Sequence, residues 1–175
     1  WRLLRHLEIK DVTINTEHGR MSFSTKDSYI SRTLFIRREY GYAAIQKAIQ
    51  VLKRENQIRG TAGAYVLDIG ANIGTVCITL VREGLFEKAL AFEPDPHNFG
   101  YLEKNIELNN LTHRISAFQC GLSSAETELL LEKSSDNFGD HRIRPRNVDD
   151  LGKDARYDER NPTVIKVPVR TLDGA

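Results

Sequence analysis

The spacing of apolar residues changes along the chain, and each change predicts an element. Between Tyr42 and Arg54, the residues Ile45, Ala48, Ile49 and Leu52 recur at i, i+3, i+4 and i+7, one stripe of an amphipathic helix. Gly60 and Gly63 then interrupt the pattern. Ala64-Tyr65-Val66-Leu67 is a short apolar run ending at Asp68, as expected of a buried strand. After a glycine-bearing turn, Ile73, Val76, Cys77, Leu80 and Val81 mark a second helix face, closed by Gly84. Ala89-Leu90-Ala91-Phe92 predicts a second buried strand ending at Glu93-Pro94. Pro96 suits the first turn of a helix with Phe99, Leu102 and Ile106 inside, and Ile115 to Cys120 predicts a third strand. Strand, helix, strand, helix, strand in this order is the signature of a parallel α/β sheet.

The flanks read differently. Residues 1–41 offer only short strand-like pieces, Leu7-Glu8-Ile9 and Val12-Thr13-Ile14. With the helix that follows, they are assigned to an N-terminal extension over residues 1–60, ahead of a domain over 61–175. Glu128 to Lys133 predicts a strand, and Thr163 to Leu172 alternates with Ile165, Val167 and Val169 on one face. Pro168 within that second strand argues for a sheet edge or a hairpin arm, because proline cannot donate to a ladder. Residues 134–162 between them hold six Lys/Arg and seven Asp/Glu with few apolar anchors. That is the composition of a solvated loop rather than a lid.

Composition narrows the class without naming a function. The 175 residues carry 25 Lys/Arg and 24 Asp/Glu, a net charge of +1, and are 40% hydrophobic. These are ordinary globular values, which exclude wholesale disorder, collagen and coiled coil. Near-balanced charge gives no global pull toward nucleic acid or a membrane surface. The charge-free run at the apolar centre, Ile69 to Val81, is 13 residues long, short of the ~20 a bilayer needs. The opening Trp1-Arg2-Leu3-Leu4-Arg5-His6 has no continuous apolar core of a signal peptide. It also lacks an initiator Met, so the chain is expected to begin inside a longer protein. Cys77 and Cys120 make no disulfide framework, which points to a reducing cytoplasm.

Candidate chemistry concentrates in Val66-Leu67-Asp68-Ile69-Gly70-Ala71-Asn72-Ile73-Gly74. A strand turning sharply into a helix leaves free backbone N–H groups, and only small residues let a cofactor approach them. Gly70 and Gly74 meet that need, and Asn72 is the non-glycine best able to adopt a left-handed backbone between them. A dinucleotide fingerprint needs G-x-G-x-x-G for a pyrophosphate. Here the pattern is D-x-G-x-N-x-G, with an acid two residues before the first glycine. A cationic ammonium without phosphate welcomes that acid, and the methionine part of S-adenosylmethionine is such a ligand. Glu93 falls 19 residues after Gly74, at the end of the second strand, where a carboxylate can accept both hydroxyls of a ribose. An NAD site places an acid similarly, so Glu93 speaks for a nucleoside without naming the cofactor. Asp68 taken alone reads equally as a helix-capping or strand-end carboxylate.

Leu67 to Gly74, then Ala91-Phe92-Glu93-Pro94-Asp95-Pro96, then Asn105 and Asn109, resemble the FkbM-type methyltransferases. Gly121-Leu122-Ser123, Asn137-Phe138-Gly139, Val169-Arg170-Thr171-Leu172-Asp173 and the upstream Asp27-Ser28-Tyr29-Ile30-Ser31 resemble them more loosely. The resemblance implies a Rossmann-like class I methyltransferase sheet and S-adenosylmethionine as cofactor. It also implies methyl transfer to an oxygen, often a sugar or polyketide hydroxyl. By position it puts Asp68, Gly70, Ala71, Asn72 and Gly74 along the methionine half of the cofactor. Glu93 and Pro94 would then lie by the ribose, and Gln119 and Cys120 by the adenine. Cys120 reads equally as a small core residue, and Cys77, on the apolar stripe of its helix, reads as core. Family members continue past the Thr-Leu-Asp segment with another core strand bearing acids. This chain stops at Ala175, so its sheet is expected to be incomplete at the C-terminus, with three parallel strands of seven.

A hydroxyl acceptor needs a base nearby, and His141 is the only histidine in the charged loop, hence the catalytic candidate. His6, His18, His97 and His113 lie in segments with no catalytic pattern. No His/Cys/Asp set has metal-ligand spacing, so no metal is expected. The expected partner is a small-molecule or carbohydrate acceptor, with no nucleic acid and no membrane. A local patch of Arg142, Arg144 and Arg146 could still hold one phosphate. Two rival classes remain open: an NAD-dependent oxidoreductase, and a non-catalytic relative that binds a nucleoside or a partner protein.

Overall fold

Small residues on one face of a short parallel sheet set the architecture, because Ala89 and Ala91 let helices pack closely against it. In the computed structural model, which describes residues 1–58, 63–143 and 163–174, the chain opens with helix α1 (Arg2–His6) and the hairpin β1 (Asp11–Thr16) and β2 (Gly19–Ser24). Helices α2 (Ile30–Arg37) and α3 (Tyr42–Arg54) follow, then β3 (Tyr65–Ile69), α4 (Thr75–Arg82), β4 (Lys88–Phe92), α5 (Pro96–Leu108) and β5 (Ile115–Phe118). The later part adds β6 (Gly121–Leu122), β7 (Thr127–Lys133), β8 (Arg142–Ile143) and β9 (Thr163–Arg170), with a 3₁₀ turn at Leu172–Gly174.

Strands β3, β4 and β5 form a parallel sheet in that order, with Val66 opposite Ala89 and Asp68 opposite Ala91. A second sheet has the order β6-β9-β7-β8, in which β7 and β9 are antiparallel. Pro168 opposes Glu128 in that ladder, and among the described residues β9 is paired along its length by β7 alone, β6 meeting only Val169 and Arg170, which leaves Pro168 on an open side.

The helix at Tyr42–Arg54 and the three parallel strands stand where residue spacing puts them. Four expectations change. Leu7 ends α1 rather than starting a strand, since its N–H bonds back to the Leu3 carbonyl. The N-terminal extension, expected to hold an amphipathic helix after isolated strand-like pieces, has Val12-Thr13-Ile14 paired in a hairpin whose Met21 and Phe23 are fully buried. These two share one core with Cys77, Ile78, Leu102 and Ile106. Strand β3 is covered on one face only: Tyr65, Leu67 and Ile69 are 54%, 43% and 62% exposed, because α4, α5 and the hairpin all pack on the Ala89–Ala91 side and no described residue covers the other. In α4, Val76 faces outward and Ile78 takes its place inside, because the helix starts at Thr75, later than the stripe drawn from Ile73.

Two asparagines join the hairpin to the sheet. Asn105, fully buried on α5, accepts the Ser22 N–H through Oδ1 at 2.6 Å. Its Nδ2 donates to the carbonyls of Ser22 and Ile73 at 3.1 and 2.9 Å. One turn later, Asn109 accepts from Arg20 N–H at 2.9 Å and donates to the Arg20 carbonyl at 2.8 Å. The side-chain amides thus serve β2 as a ladder partner would, which fixes the hairpin against the turn before α4.

Candidate active site

The turn between β3 and α4 is built from three left-handed residues, Gly70 (φ 79°), Asn72 (φ 52°) and Gly74 (φ 92°), the set that residue chemistry selects. A Cβ on Gly70 would meet no protein atom within 4 Å, so its open side is available to a ligand. A Cβ on Gly74 would press on Ile78 and Leu102 at 2.8 and 2.9 Å, so this glycine serves helix packing rather than ligand approach.

Asp68 plays the capping part. Gly74 has no side chain to cap α4, and Asp68 Oδ2 instead accepts the Cys77 N–H at 3.0 Å from across the turn. Burial pushes the Asp68 carboxyl up, and the Cys77 contacts act in the opposite direction. Glu93 is 5% exposed and joins two segments: Oε2 accepts Asn72 N–H and Oε1 accepts Asp95 N–H, both at 2.8 Å. Burial raises its carboxyl from 4.5 to about 7, although the backbone donors of Asp95 and Asn72 favour the charged form. Each oxygen keeps a lone pair beyond the one it has used.

A cavity of about 380 Å³ opens on this turn. Gly70, Ala71, Asn72, Glu93 and Pro94 line it, together with Thr75, Val76, Tyr40, Asn98 and Leu131. Its far wall is Asn137–His141, so the described start of the charged loop is not a free solvated segment. Its backbone is pinned by groups the turn cannot use otherwise. The Phe138 carbonyl accepts Nδ2 of Asn72 at 2.9 Å and Nδ2 of Asn98 at 3.0 Å. Phe138 N–H donates to Asp27 Oδ1 at 3.3 Å, and Ser28 N–H to the Asp136 carbonyl at 2.7 Å. The Asp27–Ser31 and Asn137–Gly139 segments, far apart in sequence, therefore meet over the glycine turn. Residues 144–162, with Arg144 and Arg146, lie outside the described residues, and Arg142 pairs with Glu132 at 2.6 Å.

Of the expected site residues, Asp68 and Gly74 stand behind the turn and do not line this cavity. Gln119 and Cys120 follow the end of β5 and do not line it either; Gln119 is exposed and Cys120 is buried. Cys77 is core, fully buried, and both cysteines are free. His141 does line the cavity, but its Nδ1 is occupied, and its Nε2 is buried without a hydrogen-bond partner among the described residues. Nδ1 accepts Ser134 N–H at 3.1 Å, and Nε2 stands 3.9 Å from Asp95 Oδ2. Burial lowers the His141 pKa, against the pull of Asp95. Asp95 itself, fully buried, caps α5 through Oδ1 and pairs with Lys133 at 2.6 Å. Burial pushes the Asp95 carboxyl up, but Lys133 and the Asn98 N–H outweigh it and hold it below its usual range.

Sequence reading missed Asp27, Asp95, Asn98, Tyr40 and Phe138 as site-forming residues. Asp95 before Pro96 is an N-cap signal that could have been read; the others have no local signature. Among the described residues no group of three or more His/Cys/Asp/Glu could hold a metal. No described helix is long and apolar enough to cross a membrane.

A parallel sheet carrying an open glycine turn and a nucleoside-type carboxylate defines a Rossmann-like class I methyltransferase fold. The sequence profile of the TRM5/TYW2 methyltransferase domain matches residues 40–134, and the chain belongs to that family. Its cofactor is S-adenosylmethionine. The methyltransferase sdnD of Sordaria araneosa is 33% identical over 112 residues, 60% of this chain and 43% of that protein, so the chain spans less than half of this relative. The structure of P. horikoshii TYW2 in complex with MeSAdo superposes on 69% of this chain and 46% of that one at 21% identity, with a TM-score of 0.43. The FkbM methyltransferase of Methylobacillus flagellatus is more distant, with a TM-score of 0.34 and 26% identity over 53% of this chain and 24% of that one. The family assignment rests on the profile match, which sets aside the NAD reading.

Proposed function

We propose that the chain forms the cofactor-binding part of a methyltransferase that acts on a hydroxyl of a sugar or another small molecule. The observation that carries this reading is Glu93, a buried carboxylate fixed by two backbone donors at the wall of a cavity opened by Gly70. Residues 61–175 hold the cofactor, and residues 1–60, which contribute Tyr40 and Ile30 to the cavity, help to enclose it. The FkbM resemblance supports the oxygen acceptor, since its motifs extend past the profile match through Asn137–Gly139 and Val169–Asp173.

The residues present fit the cofactor. In this reading Glu93 accepts the ribose hydroxyls, and Pro94 packs beside them. Gly70, Ala71 and Asn72 leave room for the methionine half, with Asp68 and Gly74 shaping the turn from behind. Gln119 and Cys120 stand at the end of the strand next to Glu93, on the adenine side. S-adenosylmethionine, when bound, supplies a sulfonium methyl that is already activated. The chain must orient the acceptor oxygen, exclude water and take one proton. Asn137–His141 and Tyr40 close the cavity against water. His141 is the candidate base once Ser134 N–H releases Nδ1; Asp95 would then stabilise the imidazolium through Nε2.

A cofactor held by ionised Glu93 binds with a pH dependence of known sign. The folded pKa, about 7, lies above the usual 4.5, so the folded chain holds the extra proton between those values. Stability from this group is present at low pH and is lost as pH rises through about 7. Cofactor affinity runs the other way, because two hydroxyls need the ionised form. Calorimetric titration at pH 6, 7 and 8 is expected to show affinity rising, by at most about tenfold per pH unit below 7. A flat profile would remove Glu93 from the cofactor contact.

A nucleic-acid base is the second acceptor reading, because TRM5/TYW2 family members act on tRNA nucleobases. Labelled-methyl transfer to a panel of small hydroxyl compounds and to tRNA separates the readings. Label on a small hydroxyl compound supports the proposal, and label on tRNA alone supports the second. Cofactor binding without transfer to either supports a non-catalytic relative.

A further inference from the structure

A second cavity, of about 400 Å³, lies on the other side of the first turn of α5. Pro94 and Asn98 line the cofactor cavity, whereas Pro96 and His97 line this one. The His97 ring meets the Phe138 ring edge-on at 5.4 Å, so one aromatic contact separates the two spaces. Three lysines border the second cavity: Lys10 and Lys26 at the ends of the hairpin strands, and Lys104 one turn beyond Gly100 on α5. None of the three has an ion-pair partner among the described residues. The one acid in the wall, Asp11, receives a hydrogen bond from the Tyr101 hydroxyl.

Gly100 forms part of the wall and is the independent signal. Gly100 is solvent-exposed within α5, where a glycine costs about 1 kcal/mol relative to alanine. No protein atom lies within 4 Å of a Cβ built at Gly100, so no packing demand accounts for it. The space that it leaves opens into the lysine-bordered cavity.

We propose that this cavity binds the phosphate monoester of a small molecule, beside the cofactor cavity. Three lysines against one aspartate leave two positive charges, which matches a phosphate monoester near pH 7. The cavity is an open surface depression in which only three lysines converge, and with the near-neutral chain that favours one phosphate over a long polyanion. That the phosphate belongs to the methyl acceptor rests on the methyltransferase reading; the binding site itself does not.

Calorimetric titration of the chain with glucose 6-phosphate, glucose and a 12-nucleotide RNA tests this, with S-adenosylmethionine titrated into the same samples. Glucose 6-phosphate is expected to bind saturably and glucose not at all. Lys10→Ala, Lys26→Ala and Lys104→Ala should each weaken binding about tenfold, the loss of one charge-assisted contact. Gly100→Glu, which sets a carboxylate in open space without touching the core, should abolish it, and Gly100→Ala should retain it. Equal affinity in wild type and Gly100→Glu, or RNA binding without glucose 6-phosphate binding, would overturn the proposal. Cofactor affinity unchanged across these variants keeps that result separate from the test of the methyltransferase reading.

Discussion

Replacing Glu93 with glutamine is expected to weaken S-adenosylmethionine binding about a hundredfold, the loss of hydrogen bonds to a charged acceptor. Glutamine keeps the size and offers one acceptor where the carboxylate offers two. Its amide N–H₂ would also face Asn72 N–H or Asp95 N–H, donors that now converge on Oε2 and Oε1 at 2.8 Å. The substitution therefore removes a ribose partner and loosens the turn beside it. Calorimetric titration at pH 8, where the wild-type carboxyl is ionised, measures the first effect. A circular dichroism spectrum unchanged from wild type confirms that the fold survives. An affinity within threefold of wild type would show that the ribose lies elsewhere.

The second large effect concerns stability. Asn105→Leu keeps the buried volume but strands the N–H and C=O of Ser22 and the C=O of Ile73. Buried polar groups left unpaired cost about 1–3 kcal/mol each. Some of that is recovered by relaxation, so a loss of about 3 kcal/mol is expected, or about 10 °C in Tm for a chain of this size. Urea unfolding with an unchanged m-value measures it. A loss below about 1 kcal/mol would mean that the hairpin does not depend on the asparagine bridge.

These two residues illustrate what was legible in the chain. Glu93 could be found because its place follows from local rules: an acid at the end of an apolar run, at nucleoside spacing from a glycine turn. The left-handed Asn72 and the helix start at Pro96 were legible for the same reason, since backbone sterics act within a few residues. Asn105 was recognisable only as part of a resemblance, because its partners, Ser22 and Ile73, lie 83 and 32 residues away. The second hairpin strand escaped although Arg20-Met21-Ser22-Phe23-Ser24 alternates, because only two apolar residues mark it; both Met21 and Phe23 end fully buried. Charge misled in Ser134–Asp140. Its polar composition reads as solvated, yet Asn72, Asn98 and Asp27 satisfy its backbone and draw it over the cavity. Exposure on β3 was invisible for the opposite reason: an apolar run predicts a strand but not how many of its faces find a cover.

Everything proposed for the site depends on S-adenosylmethionine sitting between the Gly70–Asn72 turn and Glu93. Amide chemical-shift mapping of the chain during cofactor titration tests it most directly. The largest shifts are expected at Gly70, Ala71 and Asn72, and at Asp95, whose N–H is held by Glu93, with smaller ones at Phe138. Shifts confined to the Lys10–Lys104 cavity, or saturable binding that leaves the Asn72 and Asp95 amides unmoved, would contradict it.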